Sequence, residues 1–231
     1  MDVPASETVA TLRTAFERWG MPARIRVDNG YPWGSTGDLP TELGLWLLGL
    51  GIDLVSIPSR RPQHNGVVER SQDTGQRWAD PARCSSLAEF QRNLDAMDQH
   101  QREAFPESSR SRSQLFPSLA HSGRAYCPAE EALLWQQARL WQKLAEYAVM
   151  RQINARGLIS VSGRNSYVGR RYAGQAAYVR FDAATGEWLF ELVAGPVIGR
   201  QPAQLSLEAI LGRRVTHRHR GKTSVASSGK T

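Results

Sequence analysis

The chain has 231 residues, 41% apolar and 22% charged, which is enough for one large or two small domains with a buried core. Its two cysteines, Cys84 and Cys127, form no Cys-X-X-Cys pair, which excludes a disulfide framework and argues against a zinc site. Charged residues interrupt every long apolar run and occur throughout the N-terminal region, so we expect no membrane span, no signal peptide and a cytoplasmic location.

The net charge of +7 is unevenly distributed. Residues 1–105 carry 11 basic and 14 acidic side chains, whereas residues 212–231 carry 6 basic and no acidic ones. The tail has few apolar residues to bury, so we expect it to be disordered. It is either a solvated end or an arm that binds phosphates.

The first half alternates helices with short strands. Apolar spacing predicts a helix over 6–19, and a β-branched run predicts a strand over 25–27 that ends in the turn Asp28-Asn29-Gly30. A very apolar segment, 42–50, predicts a buried helix, and 52–57 predicts a second strand. Two strands joined by so long a crossover should be parallel.

Helices dominate the middle of the chain. The pattern predicts a helix over 67–78 with Glu69 in its first turn, and another over 82–101. A proline-rich connector follows over 105–128, and 129–150 predicts one long amphipathic helix.

The apolar period changes near residue 152, where we place a domain boundary. Five short runs bounded by Gly, Asn or Asp predict strands that form a small barrel. They are 158–161, 165–168, 176–181, 187–190 and 195–199.

Asp28 and Glu69 are the candidate metal ligands. The carboxyl ends of parallel strands lie at one edge of a sheet, where open α/β sheets bind ligands, and carboxylate oxygens suit Mg²⁺. The same residues also fit simpler roles, because Asp often precedes Asn-Gly in a turn and a first-turn Glu complements the helix dipole.

Three strings, RVDNGYPWGS, GLWLLGLGIDL and RRPQHNGVVERSQ, resemble the catalytic core of insertion-sequence transposases in the retroviral-integrase superfamily. The resemblance covers roughly residues 6–105. It implies that Asp28 and Glu69 are the second and third members of a DDE metal triad that binds Mg²⁺ or Mn²⁺ once the triad is complete.

The resemblance implies an α/β fold in four parts. They are an incomplete ribonuclease-H-like integrase core over 1–105, a connector and linker helix over 106–152, an SH3-like β-barrel over 153–211 and a disordered basic tail over 212–231. The family's first Asp lies on a strand ahead of the helix at 6–19, so we expect this chain to be a truncated transposase that lacks three strands and that ligand.

The implied partner is DNA, both transposon ends and target, together with further copies of the chain or a full-length transposase. The expected DNA contacts are Gln63, His64, Asn65, Arg70, Arg213, Arg214, Arg218, Arg220 and Lys222. His64 is also a candidate general base, although a histidine in a polar loop is more often simply exposed.

Three functions remain open. The first is a transposase that, when complete, cuts and joins DNA by two-metal phosphoryl transfer. The second is a catalytically inactive DNA-binding or assembly module. The third is an unrelated α+β protein with a coincidental DNG and ER.

The expected truncation also predicts which half of the chain is less stable. Strands without their neighbours leave edges unpaired, so we expect residues 1–105 to be the less stable half and the apolar helix at 42–50 to keep one face open.

Overall fold

The computed structural model describes residues 4–34, 38–57, 66–104, 106–107 and 109–212. Its helices are α1 (Ala5–Trp19), α2 (Glu42–Gly49), α3 (Gly66–Ala79), α4 (Leu87–Glu103), α5 (Arg112–Leu115), α6 (Glu131–Leu134), α7 (Gln137–Leu144) and α8 (Leu207–Leu211). Its strands are β1 (Arg24–Val27), β2 (Asp53–Ser56), β3 (Pro106–Glu107), β4 (Arg110–Ser111), β5 (Ala148–Gln152), β6 (Leu158–Val161), β7 (Arg164–Tyr167), β8 (Ala176–Asp182), β9 (Glu187–Leu192) and β10 (Val197–Pro202). This mixture of helices and strands confirms the predicted α/β class at the coarse level.

The first α/β unit follows its predicted order. Helix α1 ends at Gly20, whose φ of 74° favours glycine. Strands β1 and β2 are parallel, with Val27 opposite Ser56, as the length of the crossover predicts. Thr41 caps α2 by accepting a hydrogen bond from the Gly44 N–H.

The expectation that α2 keeps an open face is wrong. All of its residues from Leu43 to Gly49 are buried, because α7 and α8 pack against it. On another side, the ring of Phe16 in α1 stacks on Trp46 at 6.0 Å between centroids. The C-terminal part of the chain therefore covers this helix.

Two predicted helices have different bounds. The helix expected over 82–101 begins later, because Pro81–Arg83 forms a short 3₁₀ turn and Ser86 then caps α4 by accepting the Glu89 N–H. The helix expected over 129–150 is interrupted between α6 and α7 and ends at Leu144.

Close packing at Gly49 explains the interruption. The indole of Trp135 lies so close to α2 that a Cβ on Gly49 would be 1.9 Å from its Nε1. The Gln136 N–H donates to the Gly49 carbonyl, at 2.9 Å, instead of continuing the helix. After α7 the chain becomes strand β5.

The five predicted C-terminal strands are present as β6 to β10. Strands β10, β9, β8 and β5 form one antiparallel sheet in that order, whereas β6 and β7 form a separate hairpin. The described strands form no closed barrel, so the SH3-like barrel is not confirmed.

One hydrophobic cluster extends through both halves of the chain. It joins Phe16 and Trp46 to Leu140 and Leu144 of α7, and then to Phe190 of the four-stranded sheet. Buried contacts therefore cross the predicted boundary near residue 152, and the division into domains stays a prediction.

Among the described residues, no helix has both the length and the apolarity needed to cross a membrane.

Candidate carboxylate site at the edge of the β1–β2 sheet

Asp28 lies at the carboxyl edge of the parallel pair, as predicted. It follows Val27, the last residue of β1, and its side chain is exposed. Its Oδ1 accepts the Gly30 N–H at 3.0 Å, which closes a local turn. The aspartate thus makes the turn contact and also presents a carboxylate to solvent.

Asn29 fastens this turn to the neighbouring strand. Its Nδ2 donates to the carbonyl oxygen of Ile57 at 2.7 Å, and the Ile57 N–H donates to the Val27 carbonyl at 2.9 Å. The ends of β1 and β2 are therefore held together directly beside Asp28. These bonds stabilise the carboxyl end of a sheet that has only two short strands.

The loop after Asn29 is held in turn by α2. Thr41 Oγ1 donates to the Pro32 carbonyl at 2.8 Å while it caps the helix, and the Trp33 N–H donates to the Gly30 carbonyl at 2.9 Å. These bonds therefore connect the described residues just after Asp28 with Thr41, the cap of the buried helix α2.

The opposite ends of the strands are fixed by Arg124, which the sequence did not single out. Its guanidinium donates to the carbonyl oxygens of Pro22 at 2.8 Å, Leu50 at 2.8 Å and Gly51 at 3.1 Å. One side chain therefore anchors the approaches to both β1 and β2. The contact spans more than 70 positions, so no local pattern could reveal it.

Glu69 lies in the first turn of α3, as predicted, and is exposed. Helix α3 pairs with α4, where Gly75 faces Leu94 and Met97. In the described parts of the chain, the main packing partner of α3 is α4 rather than the β1–β2 pair. Those parts also contain no group of three or more His, Cys, Asp or Glu side chains placed to hold a metal ion.

Most predicted DNA contacts lie outside the described residues. These are Gln63, His64, Asn65, Arg213, Arg214, Arg218, Arg220 and Lys222. Arg70 is described, and its side chain is exposed next to Glu69.

A buried ionic cluster is a second feature that the sequence did not reveal. Arg13 of α1 donates to both carboxylate oxygens of Glu131, at 2.8 and 2.6 Å, and the Tyr126 hydroxyl donates to the same carboxylate. Burial opposes ionisation of Glu131, but these donors together lower its pKa below the ordinary value. The cluster ties α1 to α6 across more than 100 positions of the chain.

No family model matches the sequence. Among solved structures, the chain is similar to a chain of the structure described as a cryo-EM structure of the simian T-cell lymphotropic virus intasome in complex with PP2A regulatory subunit B56 gamma. The identity is 18% and the TM-score 0.40, over 87% of this chain and 65% of that chain. The present chain thus spans less than two thirds of the length of that one.

Proposed function

We propose that this chain is a DNA transposition and integration protein related to DDE transposases. The observation that supports this most is the position of the Asp28-Asn29-Gly30 turn, because Asn29 joins the ends of two parallel strands beside an exposed carboxylate. In this proposal β1, α2, β2 and α3 belong to a ribonuclease-H-like core, and the C-terminal strands correspond to the family's small SH3-like barrel.

The proposed cofactor is Mg²⁺ or Mn²⁺. Asp28 and Glu69 offer oxygen donors, which these ions prefer, and such ions often use one or two carboxylates together with substrate phosphates. A bound pair of ions would supply the activation of the attacking oxygen and the stabilisation of the leaving oxygen. The family resemblance implies a third ligand beside Asp28 and Glu69, and the described residues contain no group of three or more His, Cys, Asp or Glu side chains that could hold the ion.

The residues of this chain have separable roles in that site. Asp28 would supply charge at the sheet edge and Glu69 from the first turn of α3, while Asn29 fixes the turn and the exposed Arg70 is available to a DNA phosphate. Gln63, His64 and Asn65, which lie outside the described residues, would contact the DNA strand in this proposal.

A second candidate is a DNA-binding or assembly module without catalysis. The six basic and no acidic side chains of residues 212–231 favour it, because they suit binding to DNA phosphates without a catalytic step. Such a module would occupy transposon ends or associate with copies of itself or with a full-length transposase. A nicking assay with Mg²⁺ or Mn²⁺ separates the two: metal-dependent nicking that Glu69→Gln abolishes supports the enzyme, and its absence supports the module.

Metal binding tests the proposed carboxylate site, which only the first version requires. We expect Asp28→Asn and Glu69→Gln each to reduce Mn²⁺ binding to the purified chain, measured by loss of the free-ion electron paramagnetic resonance signal. Asparagine can still accept the Gly30 N–H, so the turn should survive. Glu7→Gln is the matched control, because Glu7 is also an exposed first-turn glutamate. Equal Mn²⁺ binding by all four proteins would overturn the proposed site.

A further inference from the structure

Strand β1 carries two exposed arginines on one face. Arg24 and Arg26 are exposed, whereas Ile25 is half-buried and Val27 is buried. Successive side chains of a strand point to opposite faces, so Arg24 and Arg26 share the outer face of the sheet. Asp28, which is also exposed, immediately follows the strand.

These two arginines have no ion-pair partner in the described parts of the chain. Asp53 lies opposite Arg24 in the parallel register, but its Oδ1 is 3.7 Å from Nζ of Lys143 on α7. Residues two apart in a strand are about 7 Å apart, so two like charges stand close together in solvent. The outer face of β1–β2 is thus positively charged next to the carboxylate edge.

We propose that Arg24 and Arg26 bind the phosphate backbone of the DNA and guide it to Asp28. This inference rests on the proposed function and adds a surface that the family resemblance did not assign. An arginine guanidinium matches phosphate oxygens with two parallel hydrogen bonds. Because phosphates carry no sequence information, the surface positions DNA without selecting a base sequence.

A structural role for the same charges makes a different prediction. Charged side chains on a short exposed strand also prevent edge-to-edge pairing between molecules. If that were their only role, removing them would cause self-association and leave the affinity for DNA unchanged. Light scattering beside the binding measurement distinguishes the two roles.

The test measures binding of a fluorescently labelled duplex of arbitrary sequence to the full chain over a series of salt concentrations. We expect the double variant Arg24→Gln, Arg26→Gln to bind the duplex about tenfold or more weakly. The slope of log Kd against log salt concentration should also fall by about 2, because each phosphate contact contributes about 0.9 to that slope. The control Arg83→Gln, Arg92→Gln removes the same charge from two exposed arginines elsewhere.

The outcomes separate this inference from the proposed function. Equal effects of the two double variants, or self-association without loss of DNA affinity, would overturn the role of Arg24 and Arg26 while DNA binding by the chain stands. Failure of the wild-type chain to bind DNA at any salt concentration would overturn both.

Discussion

Arg13 and Glu131 form the most strongly buried ion pair of the described residues. The glutamate side chain is 6% exposed and that of the arginine is 35% exposed. We predict that Arg13→Ala destabilises the chain by about 3 kcal/mol, since it leaves a buried carboxylate without its cation. Urea unfolding measures the difference. Arg18→Ala is the control in the same helix, because its pair with Asp95 is exposed and should contribute less than about 1 kcal/mol.

The lowered pKa of Glu131 gives a pH dependence with a defined sign. A carboxyl group whose pKa is lower in the folded state stabilises the fold above its unfolded pKa and loses that contribution as pH falls through the folded value. We predict that wild type and Glu131→Gln differ most in unfolding free energy near neutral pH. The difference should narrow as the pH drops below 4.5, the ordinary value for this group. A constant difference across that range would contradict the assignment.

At the scale of single residues, the sequence predicts contacts between neighbours in the chain and misses contacts between residues far apart in the chain. The turn at Asp28 and the cap at Thr41 follow from residue types at adjacent positions, and both are present. The partners of Arg13 and Arg124 lie far away along the chain, and no periodicity encodes them. The position of Asp28 after β1 and that of Glu69 in the first turn of α3 were predictable, whereas the anchoring of the opposite strand ends by Arg124 was not.

The contact of Gly49 with Trp135 determines the shape of two helices. A Cβ at position 49 would overlap the indole, so we predict that Gly49→Ala destabilises the chain by about 1–3 kcal/mol despite its better helix propensity. Gly75→Ala is the matched control, since there the nearest atom to the new Cβ is 3.7 Å away. Thermal unfolding should show a lower midpoint for the first variant and an unchanged or higher one for the second.

The same contact explains why helix prediction failed over residues 129–150. The apolar spacing of that segment fits a helix, but the bulky indole packs at a glycine of α2 and the next N–H bonds to that helix. Tertiary contacts here outweigh local propensity.

Strand prediction succeeded because β6 to β10 are bounded by turn residues. These local signals do not specify whether the strands close into a barrel.

The continuous core determines how the whole molecule should unfold. The expected truncation predicts early loss of residues 1–105, but α2 is buried against α7 and α8. We therefore predict that α2 and β9 lose protection from hydrogen exchange at the same urea concentration, because they share one hydrophobic cluster. Mass spectrometry of peptides covering 42–49 and 187–192 checks this. Complete exchange of α2 while β9 stays protected would show two independent units.

The proposed function requires that DNA, a divalent ion and the two carboxylates meet at one place. The most direct measurement is the affinity of the chain for duplex DNA with and without Mn²⁺ at constant ionic strength, for wild type, Asp28→Asn and Glu69→Gln. An ion bridging carboxylate and phosphate should strengthen binding of the wild type and have a much smaller effect in either variant. If Mn²⁺ changes the affinity of all three proteins equally, Asp28 and Glu69 do not hold the ion, and the assignment of this edge as a DNA-processing site is wrong.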